Sequence, residues 1–148
     1  MIIEDNLEEL DTTATALKKG GYNVVKVSGI AKAEDLIKEE NEDLPDCLII
    51  DLNMSNEFLE ENLKPQTHGG SLTGWVWLYN IAKPMLTNNP QIIIYSEFIS
   101  ELEEAINPKN EDEFNYYHSK SIFRTSKADA VNGSNHLVDE IKRLFEKK

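Results

Sequence analysis

The stretch Leu48-Ile49-Ile50-Asp51-Leu52-Asn53-Met54 constrains the fold of this chain more than any other. Leu48, Ile49 and Ile50 are all apolar, two of them β-branched, and a carboxylate follows them directly. A strand with one wet face alternates. A run without alternation predicts a strand covered on both faces, as inside a parallel sheet. Asp51 then stands at the carboxyl end of that strand, the edge where ligands of open α/β sheets bind because the crevice opens there. The opening segment Met1-Ile2-Ile3 runs in the same way into Glu4-Asp5. Asp5 and Asp51 are therefore expected to meet at one sheet edge and hold a divalent cation.

The remaining elements follow in alternation. Leu7, Leu10, Ala14 and Leu17 recur at three/four spacing and mark one helix face. Asn6 or Asp5 can cap that helix, and Gly20-Gly21 can end it in a left-handed turn. Tyr22 to Val27 reads as the second strand, and Ile30, Ala33, Leu36 and Ile37 as the second helix, running out in the charged segment Glu39 to Asp46. Cys47 to Asp51 is the third strand. Strand, helix, strand, helix, strand is the rhythm of a parallel sheet with crossover helices.

The rhythm then breaks. Ser55 to Ser71 is polar, holds Pro65, Gly69 and Gly70, and far exceeds the roughly 2–6 residues usual for a βα loop. Loops of that length are expected to be functional lids or disordered stretches. Phe58, Leu59 and Leu63 suit one helical turn packed back on the body. Gly74 to Met85 resumes as helix with Trp75, Leu78, Ile81, Ala82 and Met85 on one side. Trp77 falls off that stripe and is expected half-buried under the long loop. Pro90 to Ser96 is the fourth strand, and Phe98, Leu102 and Ile106 form a short helix. Asn107 to Glu113 reads as loop, and Ser121 to Thr125 as the fifth strand. Leu137, Ile141, Leu144 and Phe145 make the last helix, with Lys142, Arg143, Lys147 and Lys148 suiting its negative end. The expected count is five strands and five helices in one domain over residues 1–148, with a loop insertion around 55–72.

Composition excludes several classes of function. The net charge of −12 opposes binding to a phosphate backbone, and no Lys/Arg stripe exists to release counterions, so no nucleic-acid partner is expected. No stretch approaches a membrane span, and the chain opens into a strand rather than a signal peptide, so a cytoplasmic location without membrane contact is expected. A few residues are expected ahead of Met1, because Met1-Ile2-Ile3 is short for a first strand. The single cysteine, Cys47, has no internal disulfide partner and reads as a buried thiol. His68, His118 and His136 lack metal-ligand spacing and read as solvated loop residues. Glu101, Glu103 and Glu104 read as a solvated helix face.

Collected at the carboxyl ends of the strands, Glu4, Asp5, Asp51, Ser96 and a lysine near Lys127 suit one reaction. Crowded carboxylates gain most from a hard cation, and Mg²⁺ takes oxygen ligands while keeping several waters. A carboxylate beside that cation can attack a phosphoryl group to give an acyl phosphate. Mg²⁺ and a lysine ammonium then compensate the charge spread over the transferring oxygens. A hydroxyl after the fourth strand can hydrogen-bond a new phosphoryl oxygen and report the modification by moving.

Ile-Ile-Glu-Asp-Asn, Gly-Gly-Tyr-Asn-Val-Val, Leu-Ile-Ile-Asp-Leu-Asn-Met and Ile-Ile-Ile-Tyr-Ser, in that order, resemble the receiver domain of two-component response regulators. The resemblance covers nearly the whole chain and is closest over residues 1 to 54. It implies an α/β, three-layer, doubly wound (βα)₅ flavodoxin-like fold with a five-stranded parallel sheet in the order 2-1-3-4-5. It implies Asp51 as phosphoacceptor, Asp5 and Asp51 on Mg²⁺, Glu4 assisting through water, the Asn53 carbonyl as a further metal ligand and Ser96 as the switch hydroxyl. The implied partners are a sensor histidine kinase or histidine phosphotransfer protein as donor and a downstream protein as target; a homodimer stays open. No Lys-Pro pair follows the fifth strand, so the lysine role falls to Lys127, to Lys120, which would put Tyr117 at the switch aromatic, or to Arg124. The expected protein is a stand-alone phosphoacceptor with only self-directed phosphotransfer and dephosphorylation, its output made by protein contact unless the chain is an excised fragment. A pseudo-receiver that binds partners without phosphorylation is the alternative. A phosphatase on this fold would want a second acid two residues after the nucleophile, where Asn53 stands.

Overall fold

The computed structural model describes residues 1–39, 43–127 and 134–146, so the expectation for Lys147 and Lys148, and residues 40–42 of the charged linker, lie outside the described residues. Five parallel strands form one sheet: β1 (Ile2–Ile3), β2 (Lys26–Val27), β3 (Cys47–Ile50), β4 (Gln91–Ser96) and β5 (Ile122–Ser126). Their order is β2-β1-β3-β4-β5, the flavodoxin-like arrangement, with helices alternating between the strands. The register pairs Ile2 with Ile49, Ile50 with Ile94 and Ser96 with Ser126.

Side chains of a strand alternate between the two faces of its sheet, and the apolar residues divide accordingly. Ile2, Ile49 and Ile93 face α1 (Leu7–Lys19) and α7 (Ser134–Glu146), where Leu10, Ala14, Leu17, Leu137 and Ile141 complete one core cluster. Ile3, Leu48, Ile50, Ile92 and Ile94 face the other way, into a larger core with Ile30, Ala33 and Ile37 of α2 (Ile30–Glu39). The apolar strands β1, β3 and β4 are therefore covered on both faces, as their unbroken apolar runs predict, whereas the edge strand β2 leaves Lys26 exposed. Asn6 caps α1 by accepting a hydrogen bond from the Glu9 N–H, and Gly21 leaves the helix with φ +93°. The second strand is shorter than the Tyr22–Val27 expected, because β1 presents only Ile2 and Ile3 for pairing and a ladder needs both rows.

The long βα connection is a packed segment rather than a lid. Leu59, Leu63 and Leu72 are buried in the larger core, whereas Phe58 is 73% exposed. A short 3₁₀ turn, Lys64–Thr67, ends at the fully buried Thr67, whose hydroxyl donates to the Lys64 carbonyl and accepts from Asn56. The Met54 N–H donates to the Gly70 carbonyl at 3.2 Å, closing the segment on itself. It leads into a helical rod made of α3 (Thr73–Trp77), a π turn (Leu78–Ala82) and α4 (Lys83–Met85).

That rod lies between neighbours on both sides, so Thr73 to Leu78 are all buried. Trp77 is 1% exposed rather than half-buried, and its indole donates to Glu34 of α2 at 3.4 Å. The Trp75 indole donates to Glu113 at 3.0 Å. Glu113 belongs to a helix that the expected loop conceals: α6 (Glu111–Tyr117) follows α5 (Ile99–Ala105). Asn110 accepts from the Glu113 N–H and its own amide donates to the Glu113 carboxylate, a reciprocal cap that starts the helix. Glu101 and Glu103 are likewise tethers, accepting from Ser71 and from the Tyr117 hydroxyl.

Gly74 sets how closely α3 approaches β3. A Cβ there would fall 2.0 Å from the Asp51 carbonyl oxygen, so Gly74→Ala must push the rod away from the strand end. In urea denaturation, Gly74→Ala is expected to lose about 1–3 kcal/mol or more. Leu59→Ala is expected to lose about 2–5 kcal/mol as a buried truncation, while Phe58→Ser stays within about 0.5 kcal/mol. A near-neutral Leu59→Ala would mean that the 55–72 segment is not packed.

Candidate functional site

Glu4 follows β1, Asp51 follows β3 and Lys127 follows β5. In a parallel sheet these positions share one edge, so residues up to 123 apart in the chain meet there. The Lys127 ammonium donates to Glu4 Oε1 at 2.5 Å, to Glu9 Oε2 at 2.5 Å and to Asp51 Oδ2 at 3.0 Å. Glu4 is 5% exposed and Asp51 8%. The other Asp51 oxygen, Oδ1, accepts from the backbone N–H of Leu52 at 2.7 Å and of Asn53 at 3.4 Å. The carboxylate is thus held in one orientation by the turn that begins after β3. Ser96 is fully buried at the end of β4, one residue beyond Tyr95, and its hydroxyl accepts from the Phe98 N–H.

Of the residues considered for the lysine role, only Lys127 reaches the carboxylates among the described contacts. Lys120 is exposed just before β5 starts, at the opposite edge of the sheet. Arg124 donates to the Tyr117 carbonyl at 2.8 Å and stacks over the Tyr117 ring. Two residues before Lys127 stands Thr125, and Tyr117 is buried on α6.

The carboxylates that converge are not quite the expected set. Oxygens of Glu4, Glu9 and Asp51 all lie within 4.8 Å of one another, a spacing that can hold a metal ion. Asp5 is exposed, and its carboxylate accepts from the Ser55 N–H at 3.4 Å. Successive residues of an extended segment point to opposite sides, so Glu4 turning inward leaves Asp5 on the rim. Asn53 is also exposed on that rim. Glu9 is the residue that sequence reasoning missed. Asn6-x-x-Glu9 has the spacing of a helix-capping box, which hides a second use of the glutamate.

Electrostatics favour a cation here. Three carboxylates against one ammonium leave two negative charges in excess at full ionisation. Glu4 Oε2 is buried and receives no hydrogen bond from an N–H or hydroxyl, a costly state for an ionised carboxylate oxygen. Every donor atom on offer is oxygen, which suits a hard divalent cation such as Mg²⁺. Burial, reinforced by the neighbouring Glu9, pushes the Glu4 carboxyl up to about 8. Glu9 is held below the usual carboxylate range, chiefly by its hydrogen bond with Glu4. Burial alone would lower Lys127, but its bonds to Glu4 and Glu9 outweigh that and hold it above the ordinary lysine range. A cavity of about 700 Å³ at the other end of the sheet, lined by residues such as Val24, Leu36, Leu44 and Cys47, has mostly apolar walls and, among the described residues, no such cluster. The chemistry therefore belongs to the carboxyl edge.

The raised Glu4 carboxyl has a measurable consequence. Between pH 4.5 and about 8 the folded state keeps a proton that the unfolded chain has released, so stability falls as pH rises through that window. Glu4→Gln is expected to flatten that dependence in urea titrations repeated from pH 5 to 8.5. A cation held by these carboxylates would displace the same proton, so binding of a divalent cation such as Mg²⁺ at pH 7 is expected to release protons and to tighten toward pH 8. Calorimetry in buffers of different ionisation enthalpy checks this; no proton release would show Glu4 already ionised.

No helix among the described residues is long and apolar enough to cross a membrane. Comparison with protein-family models, with curated proteins and with solved structures finds no match to this chain.

Proposed function

We propose that this protein is a receiver, accepting a phosphoryl group on Asp51 from a phosphohistidine donor and switching a protein contact in response. The observation that carries the reading is the meeting of Lys127 with Glu4 and Asp51 at one sheet edge. Asp51 Oδ1 is tied down by two backbone N–H groups, which leaves Oδ2 as the nucleophile. Oδ2 forms the new bond to phosphorus as the phosphorus–nitrogen bond breaks, and the departing imidazole keeps the electron pair. Lys127 already touches Oδ2 and supplies a positive charge beside the transferring oxygens. Mg²⁺ bound among the carboxylates would neutralise further charge on those oxygens. Ser96, buried at the adjacent strand end, would respond to the modified side chain. The product is a modified protein, and turnover of external phosphoesters is not part of the proposal.

One observation favours a second reading. Lys127 contacts all three carboxylates at once, so the site is partly neutralised by its own lysine, as a pseudo-receiver that is never phosphorylated would need. Incubation with acetyl phosphate and Mg²⁺, read by intact mass, separates the two. The receiver reading expects the mass gain of one phosphoryl group, absent in Asp51→Asn, and slowed by about 10²-fold or more in Lys127→Ala. No gain, or a gain that survives Asp51→Asn, supports the pseudo-receiver instead.

A further inference from the structure

We infer that Glu9 is a cation ligand of this site and occupies the place that the sequence assigns to Asp5. The inference deepens the reading of this edge as a cation site and rests on it. Glu9 is the third residue of α1, and the Asn6 cap fixes its backbone through the Glu9 N–H at 3.1 Å. A glutamate at this position ordinarily reaches back to the cap N–H. Here its carboxylate turns to Lys127 instead, at 2.5 Å. Its oxygen lies within 4.8 Å of those of Glu4 and Asp51. The neighbouring Glu4 is 5% exposed and carries a buried oxygen that receives no N–H or hydroxyl hydrogen bond, so the cluster holds unused ligand capacity. Asp5 instead accepts from the Ser55 N–H and is not among the carboxylates that lie within 4.8 Å of one another. A cation among Glu4, Glu9 and Asp51 would meet three carboxylates drawn from a strand end, a helix and a second strand end. Glu9 is 45% exposed in its side chain, which gives the ion a route in from solvent.

This arrangement makes the start of α1 part of the site. Loading the ion would take Glu9 away from Lys127, so the helix and the residue after β5 would be linked through one oxygen set. Lys127 and the cation would then compete for the same carboxylates.

The test is cation binding by the unphosphorylated full chain, using Mg²⁺ by calorimetry and Mn²⁺ by electron paramagnetic resonance. Glu9→Gln keeps the cap backbone and the side-chain shape, and is expected to weaken binding by about tenfold or more. Glu8→Gln removes the same charge from an exposed neighbour and is expected to stay within about twofold, as is usual for exposed charges. Asp5→Asn is expected to weaken binding less than Glu9→Gln. The inference is overturned if Glu9→Gln matches Glu8→Gln, or if Asp5→Asn loses more than Glu9→Gln. Wild-type protein that binds neither ion would overturn the cation site itself, and Glu9 with it. Binding that survives Glu9→Gln unchanged would overturn only the role of Glu9.

Discussion

The contact of Lys127 with Glu4 and Asp51 is the constraint on which the rest of the structure turns. Two carboxylates buried at the end of a parallel sheet lose most of their hydration, and a buried ion pair stabilises a fold only when its geometry and hydrogen bonds offset that loss. Lys127 offsets part of it for Glu4 and Asp51, and the Leu52 and Asn53 amides offset more for Asp51. Glu4 is left incompletely satisfied, with one oxygen unpartnered and its carboxyl shifted up. Apolar side chains of similar volume often serve stability as well or better, so stability alone does not account for the cluster. Groups whose ionisation is strongly perturbed beside specific charge partners mark functional sites more often than chance.

Everything around the cluster holds those groups in place. The apolar strands are packed between two helical layers, which fixes where each strand ends and so where Glu4, Asp51 and Lys127 stand. Gly74 lets α3 close onto the backbone of Asp51. The 55–72 segment, anchored by Leu59, Leu63 and Leu72, covers that helix and leads into it. A long insertion directly after the central carboxylate thus forms part of the wall beside the site. Its exposed Phe58 is the one large apolar side chain that it leaves in solvent among the described residues.

On the far side, the aromatic group of Trp75, Tyr79, Tyr116 and Tyr117 ties the rod to α6. Hydrogen bonds from Trp75 to Glu113 and from Tyr79 to Asp112 reinforce the same junction. The helix after β4 is joined to it through Glu103 and Tyr117. A displacement at Ser96 would enter this network through α5, which begins three residues later. The packing therefore gives the carboxyl edge a physical connection to the outer helices.

Much of this was legible in the residue order. Unbroken apolar runs determine that β1, β3 and β4 are buried on both faces, because a β-strand shows its environment in its side-chain alternation. Their spacing with amphipathic helices determines a parallel sheet, and the position of Asp51 after such a run determines that it stands at the carboxyl edge of that sheet. Local pattern did not reveal which acids turn inward. Asp5 and Glu4 are adjacent, and only the direction in which the chain leaves β1 decides that Glu4 is buried while Asp5 faces Ser55. Glu9 carries the signature of a helix cap, and its second partner is more than a hundred residues away in the chain. The burial of Trp77 and of the leucines in the long segment also depends on neighbours from distant parts of the chain. Sequence determined the order of strands and most helices, because side-chain periodicity depends on near neighbours; tertiary structure decided the length of β2, the start of α6 and the membership of the cluster, because strand pairing, charge and burial act through space.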